Sequence, residues 1–408
     1  MKIDINKNIY YYFLILFSVI PISIISGSSV SLFNILLIDI SFIILIIKIG
    51  NYSFLKNHSI KYLLILYFYL IFNSIISTDI SSGIYRNLGF IRIIILFLAF
   101  NFFFNYKDFL RNVFLAWTII LSFILFDIFW ESYSGKNILG YGGVLYGKRL
   151  VSFFKDEPII GGYVNSFYLL IIGFIYSYYS SDHKNKIFIV SLMFLIAIFL
   201  TGERSNSIKA LIGITLFYSF LKEYSLKQRT IFLFSIIIMM VTLVLNSQFL
   251  KLRYIDQIHS NIAQNKVYFK LYKSGFEVFK NNQFFGVGNK NYRVETCKKN
   301  YTEKEKKIYH CSTHPHQIYF EMLAEHGLIG TLLILFILYK LVFSKVIKVL
   351  NSKNYIQLGS LLYMSLVFLP LIPSGAFFND YSITIFGINL SIFYAANKNF
   401  NIFGKQLR

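Results

Sequence analysis

Apolar segments of roughly 17–25 residues, each long enough to cross a bilayer, recur along nearly the whole of this chain. Hydrocarbon offers no water to backbone N–H and C=O groups, so such segments must satisfy them internally. That requirement points to an all-α integral membrane protein. A chain of 408 residues that is 56% hydrophobic, with mean hydropathy +0.58, fits one polytopic membrane domain over 1–408 better than several soluble ones. We expect about twelve spans: 9–26, 30–47, 62–77, 87–104, 112–130, 160–180, 187–202, 207–222, 230–246, 317–339, 355–372 and 381–396. The first run has no small-residue cleavage site and leads at once into another apolar run, so it reads as a retained span.

The net charge of +21 follows the same logic. Lys and Arg gather at the cytoplasmic ends of membrane helices. With the N-terminus inside, those ends collect Lys2, Lys7, Lys48, Lys61, Lys107, Arg111, Lys184, Lys222, Lys340, Lys348, Lys405 and Arg408. The short outer connections hold fewer, among them Arg86, Arg92, Lys136 and Arg204. Both termini are therefore expected in the cytoplasm, with the long 247–316 loop outside. No RNA-binding motif accompanies the charge, so nucleic acid is not an expected partner.

The loop holds both cysteines, Cys297 and Cys311. Outside the cell a lone pair of this kind reads as a disulfide, with free thiols as the plainer alternative. A metal site would add His310, His314 and His316, but the spacing matches no zinc pattern. Residues 266–280 read as an amphipathic helix, with Phe269, Tyr272, Phe276 and Phe279 on one face and Lys266, Lys270, Lys273 and Lys280 on another. Such a helix packs over the bundle or lies on the membrane surface.

The unusual polar residues form four clusters, all on the expected outer side. The first runs from Lys148 and Arg149 through Lys155, Asp156 and Glu157 to Gly161-Gly162. The second is Thr201-Gly202-Glu203-Arg204-Ser205, with Lys209 one turn on. Arg204 sits in a connection too short to be a free loop, so its guanidinium lies at the membrane boundary, where it either snorkels beside Glu203 or binds phosphate. The third is Gly286-Val287-Gly288 through Arg293, by default a turn, since it lacks the βαβ context of a nucleotide fingerprint. The fourth is Thr313-His314-Pro315-His316-Gln317, which runs into an apolar helix bearing Glu321, Glu325 and His326. His316 titrates near neutrality, as a general base requires, but a helix-cap histidine would look the same. Glu321 and Glu325 either orient a histidine or make ordinary interhelical hydrogen bonds. No Walker motif, Asp-rich metal site or Gly-x-Ser-x-Gly elbow is present, so no cofactor or metal is expected and a substrate must carry its own activation.

Four segments, in order, resemble the O-antigen ligases and O-antigen polymerases of bacterial envelopes. They are Arg149 through Gly161, Thr201-Gly-Glu-Arg204-Ser, Phe284-Phe-Gly-Val-Gly288 with Tyr292-Arg293, and His316-Gln317 through Gly327-x-x-Gly330. The resemblance implies a glycosyltransferase C-type bundle with one large periplasmic loop in the inner membrane. It implies an undecaprenyl-diphosphate-linked glycan as donor, and lipid A–core or another lipid-linked glycan as acceptor, with inversion at the anomeric carbon. Arg204 and Arg293 would then bind the diphosphate and stabilise the leaving group. His316 would take the acceptor's proton, with His314 as the other candidate base. Arg149, His314, Gln317, Glu157 and Lys209 would contact substrate. A lipid-linked glycan transporter is a competing reading, but it predicts internal repeats and mid-membrane charges. No repeat is visible, and Asp39 and Asp127 are expected near span ends.

Overall fold

The protein is described by a computed structural model covering residues 6–106, 108–143, 149–155, 157–221, 223–257 and 267–404. Lys148, Asp156 and Lys266, and the basic residues Lys2, Lys107, Lys222, Lys405 and Arg408, lie outside the described residues. Among the described residues there are helices and no strands.

The chain runs through α1 (Lys7–Ser18), α2 (Ile20–Ile25), α3 (Ser28–Ile49), α4 (His58–Ile75), α5 (Ile80–Gly89), α6 (Ile91–Phe103) and α7 (Phe109–Ser134). It continues with α8 (Ile160–Leu200), α9 (Arg204–Phe220), α10 (Leu226–Asn246) and α11 (Gln248–Lys251). The loop region carries α12 (Val267–Asn281), α13 (Tyr292–Thr296) and α14 (Glu303–Ile308). The last four are α15 (Ile318–Leu341), α16 (Val346–Asn351), α17 (Tyr355–Val367) and α18 (Asp380–Ala395).

Eight helical segments are long and apolar enough to cross a membrane, where about twelve spans were expected. The difference lies in short or broken helices. The first expected span is split into α1 and α2, with Pro21 in the first turn of α2, and α9, α17 and α18 fall short of a full crossing length. α8 is two antiparallel arms, Ile160–Tyr179 and His183–Leu200, with irregular backbone at His183. The Tyr168 hydroxyl donates to the Ser191 carbonyl at 2.8 Å, a contact that only a folded-back chain permits.

Many span residues, including Phe33, Ile47, Phe68, Ile119 and Ile238, present large apolar side chains outward. On a soluble monomer such surface is rare, whereas a lipid-facing one requires it. The interior is aromatic: Phe13, Phe17, Phe100, Phe103 and Trp117 interlock, and the buried Trp117 indole donates to the Phe17 carbonyl at 2.9 Å. Asp39, expected near a span end, lies in the middle of α3, buried and without a hydrogen-bond partner. Asp127 does lie near the end of α7, where it and Glu131 accept hydrogen bonds from Ile138, Val151 and Ser152. That anchors the 137–154 loop over one end of the bundle.

α12 packs along α15 mainly by its small-residue face, with Tyr272 of the aromatic face stacked on Phe320. Leu271, Ser274, Gly275 and Val278 are the buried positions, while Phe269 and Phe276 remain exposed. Gly275 explains the choice: a Cβ there would lie 3.0 Å from Pro315 and 3.2 Å from Phe320, so the small face permits the closest approach. Cys297 and Cys311 form a disulfide that ties α13 to the segment entering α15. Both sulfurs are thereby unavailable to a metal.

Candidate functional site

The site begins where the two arms of α8 return to the same end of the bundle. The first N–H groups of a helix have no intrahelical acceptor and carry the positive end of its dipole. Here Glu203, immediately after the second arm, supplies that acceptor for the first. Its carboxylate accepts from Gly161 N at 2.6 Å and Gly162 N at 3.1 Å, and from the Asn206 amide at 2.7 Å. A Cβ at Gly161 would lie 2.5 Å from the Thr201 hydroxyl, which is why a glycine stands there. Burial pushes the Glu203 carboxyl up from its ordinary range, and the Asn206 amide, the Arg149 charge and the glycine N–H groups pull it back. Glu203 is thus committed to backbone and Asn206, and forms no ion pair with Arg204 among the described residues.

Arg149 lies within electrostatic reach of this carboxylate, and Arg149 and Arg204 both lie within reach of Arg253. Arg149 donates to the Pro158 carbonyl at 2.6 Å, while its Nε is buried without a partner. Arg253 clamps the Gly202 carbonyl through Nε at 3.2 Å and Nη2 at 2.9 Å, and reaches Gln257 through Nη1 at 2.6 Å. Gly202 has φ +72°, and a Cβ there would strike the Phe249 ring at 2.8 Å. Burial, then the nearby charges of Arg204 and Arg149, depress the pKa of Arg253. Arg204, half-buried at the start of α9, has no hydrogen bond or ion pair with any described residue. Three positive charges against one buried carboxylate leave a surplus that suits an anion with several oxygens.

The histidines face this group across one ring. His316 sits in the left-handed region at φ 55°, which turns the chain between Pro315 and the cap of α15. Its carbonyl accepts from Ser374 N at 2.9 Å, which fixes the turn to the loop before α18. The His314 and His316 rings lie 3.9 Å apart. His314 Nδ1 shares a hydrogen bond of 2.9 Å with the Thr313 hydroxyl, and its Nε2 is buried without a partner. Tyr268 meets the His316 ring edge-on at 6.1 Å, and its phenol lies within electrostatic reach of Arg253. Burial, reinforced by His316 and Lys290, pulls the His314 pKa down to about 4. Burial also lowers that of His316. Both rings are therefore neutral near pH 7, the form that accepts a proton.

The glycine segments are the frame for this arrangement. The regular helix of α15 breaks at Gly327, φ +63° and ψ −168°, and residues 283–288 are laid into the break. Val287 N donates to Ala324 O and Gly288 N to Glu325 O, both at 2.9 Å. Leu328 N donates to Gln283 O at 2.7 Å. Cβ atoms at Gly286 or Gly327 would come within 2.4 Å of the facing backbone. Asn73 adds a further stitch, donating to Phe285 O at 3.0 Å and Glu325 O at 3.2 Å. Glu321 accepts from Phe377 N, and Glu325 from Tyr292 N. These carboxylates hold backbone in place and touch neither histidine. His326 is buried beside the break, with Nδ1 3.3 Å from the Tyr69 hydroxyl.

The structure thus puts Arg149 and Arg204 within electrostatic reach of Arg253, with Tyr268 between Arg253 and the His314/His316 pair. Gln317 caps α15, its side-chain oxygen accepting from Tyr319 N and Phe320 N at 2.8 and 3.0 Å. Lys209 is buried along α9 and has no partner among the described residues. Glu157 is exposed on the connection before α8. Arg293 is exposed on α13, with no side-chain contact to the arginine group or the histidines among the described residues. Arg253 was not among the expected residues, and its sequence signal was slight: with Lys251, one of two basic residues in the first turns after an apolar run.

Residues 189–335 match the family model described as O-antigen ligase. That segment of the chain is similar to O-antigen ligases. Arg204, Arg253, His314 and His316 lie within the matched segment, and Arg149 lies outside it. No curated protein matches the chain. The apolar helices make this a multi-pass membrane protein, one segment of which is similar to O-antigen ligases.

Proposed function

We propose that this protein is a membrane glycosyltransferase that moves a glycan from a polyprenyl diphosphate, undecaprenyl diphosphate in a bacterial host, to a sugar hydroxyl. The observation that carries the reading is Arg204: a guanidinium with no hydrogen bond or ion pair among the described residues, within electrostatic reach of Arg253, which Tyr268 links to a neutral histidine. The acceptor hydroxyl attacks the anomeric carbon as the bond from that carbon to the diphosphate oxygen breaks. His316 takes the hydroxyl proton. The diphosphate leaves as an anion whose added charge meets Arg204, with Arg149 and Arg253 beside it. Fixed cations aimed at developing charge are worth the most in a site already poor in water. His316 is favoured over His314 as the base because His314 holds Thr313 through Nδ1 and buries Nε2. Lys209, Glu157 and Arg293 are proposed only as outer contacts for the glycan or its carrier.

In this reading the 247–316 loop and the site face the periplasm, both termini are cytoplasmic, and the acceptor is lipid A–core. A glycan profile of the host envelope after gene deletion tests it. Bare lipid A–core with accumulated lipid-linked polymer is the expected result. A single repeat still attached to core, with long chains lost, assigns repeat-unit polymerisation instead. An unchanged profile refutes both.

A further inference from the structure

The segment that carries His314 and His316 has little main-chain structure of its own. Among the described residues, no backbone–backbone hydrogen bond involves positions 311–315. One end of the segment is fixed where Ser374 N donates to His316 O and Gln317 caps α15. The other end is fixed at Cys311, three residues before His314, by its bond to Cys297. Cys297 follows α13, which is the firm side of that bond. Tyr292 N donates to Glu325 of α15, Asp79 N to the Asn291 side chain at 2.8 Å, and Asn289 N to the Asn73 side chain of α4 at 2.8 Å. The disulfide passes the rigidity of this frame to the histidine segment. Without it, the stretch before Cys311 is tied to α12 by single side-chain hydrogen bonds: His310 N donates to Ser274 at 3.1 Å, and the Asn281 amide to the Tyr309 hydroxyl. Each such bond is weak on balance, and a stretch held by few of them opens locally.

The bond is also within reach of reagents. Cys311 is exposed and Cys297 half-buried, and both lie in the loop outside the helices of membrane-spanning length. Lys298 and Lys299, next to Cys297, are exposed and attract an incoming thiolate. Exposed disulfides are the labile ones, and they open by thiol–disulfide exchange. The arginines stand apart from this loop. The bonds from Arg253 to Gly202 and from Arg149 to Pro158 involve no residue of the 297–316 segment.

We propose that the Cys297–Cys311 disulfide is a redox switch for the histidine pair: closed, it holds His314 and His316 in place for proton transfer; open, it releases them and slows transfer while the donor still binds. This rests on the glycosyltransfer reading given above. Both cysteines are positioning residues, acting through the histidines. A base that wanders from its geometry loses rate steeply, which is what the open state costs. Opening takes two electrons and two protons from an external dithiol. Its first thiolate attacks one sulfur of the pair, forming a mixed disulfide as the other cysteine leaves as a thiolate and takes up a proton. Its second thiol, losing its proton, displaces the remaining cysteine, which is protonated in turn, and the reductant ends as a disulfide. Closing is the reverse exchange, with an external disulfide as oxidant.

The test uses the full chain in nanodiscs in three states: oxidised, reduced with dithiothreitol, and reoxidised with oxidised glutathione. The double variant Cys297→Ser/Cys311→Ser is measured beside them. Thiol counting establishes each state, and tryptophan fluorescence reports whether the bundle stays folded. The expected result on reduction is a fall of about tenfold in kcat, with KM for the lipid diphosphate donor changed by less than about twofold and full recovery on reoxidation. The double variant should match reduced wild type and respond to neither reagent. A second readout needs no substrate: diethyl pyrocarbonate should modify His314 and His316 about tenfold faster in the reduced protein, because the segment opens more often. An unchanged kcat in fully reduced protein overturns the proposal. So does a KM that rises as kcat falls, or a bundle that unfolds on reduction, either of which makes the bond a structural staple only. If oxidised wild type transfers no glycan, the glycosyltransfer reading falls, and the modification rates still decide whether the bond holds the histidines.

Discussion

Removing the Glu203 carboxylate by Glu203→Ala strips the acceptor from three donors at once. Two of them, Gly161 N and Gly162 N, belong to the first turn of α8 and have no intrahelical alternative. A buried donor left unsatisfied costs about 1–3 kcal/mol. Glu203 is only 7% exposed, so entering water replaces it poorly. Two orphaned N–H groups then predict a destabilisation of about 3 kcal/mol, at the low end of the doubled range because the first turn retains some access to solvent. The loss of a carboxylate within electrostatic reach of Arg149 acts in the same direction. Glu203→Gln keeps the shape and one acceptor, and should lose roughly half as much. Both are measured by denaturant titration in mixed micelles, followed by tryptophan fluorescence. If Glu203→Ala stays within about 0.5 kcal/mol of wild type, the carboxylate is not the tertiary cap of α8 and this reasoning fails.

Three further outcomes follow from the same structure. Gly286→Ala, at φ +69° with its new Cβ 2.4 Å from the Glu325 backbone, should lower the melting temperature sharply, whereas Gly375→Ala, with open space around it, should not. The unfolded chain protonates His314 below pH 6.5, while the native one resists until about pH 4. Native stability therefore falls as pH drops through that window, by no more than about 3 kcal/mol, and His314→Gln should flatten the slope in pH-dependent melting curves. Arg253→Met frees the Gly202 carbonyl and removes one cation, so the KM for lipid diphosphate should rise about tenfold or more in transfer assays, with Arg253→Lys intermediate.

The membrane class of the chain was legible because long apolar runs admit no other fold. The cysteine pairing was legible because the sequence holds two cysteines and both fall in one loop. The number of spans was not, because the first apolar run is divided between α1 and α2, and α9, α17 and α18 are no more than 17 residues long. Gln317 looked like a ligand because a capping glutamine and a binding one have the same sequence. The Gly286–Gly288 and Gly327 segments, read separately as a turn and a helix, are one interlock whose partners lie far apart in the chain. Arg253 escaped notice for the same reason, since it is defined by the Gly202 carbonyl 51 residues away. The buried face of α12 shows a different limit. Periodicity finds an aromatic face, but close packing selects the one that carries Ser274 and Gly275.

The most direct test of the account is single-turnover transfer by the purified protein, comparing wild type with Arg204→Ala and His316→Ala at saturating lipid-linked donor and acceptor. The account predicts that both variants fold and insert normally and lose at least about a hundredfold in rate. It also predicts that only Arg204→Ala weakens donor binding, and that the wild-type rate falls as acid protonates His316, below the ordinary histidine range. Near-wild-type rates in either variant would contradict it.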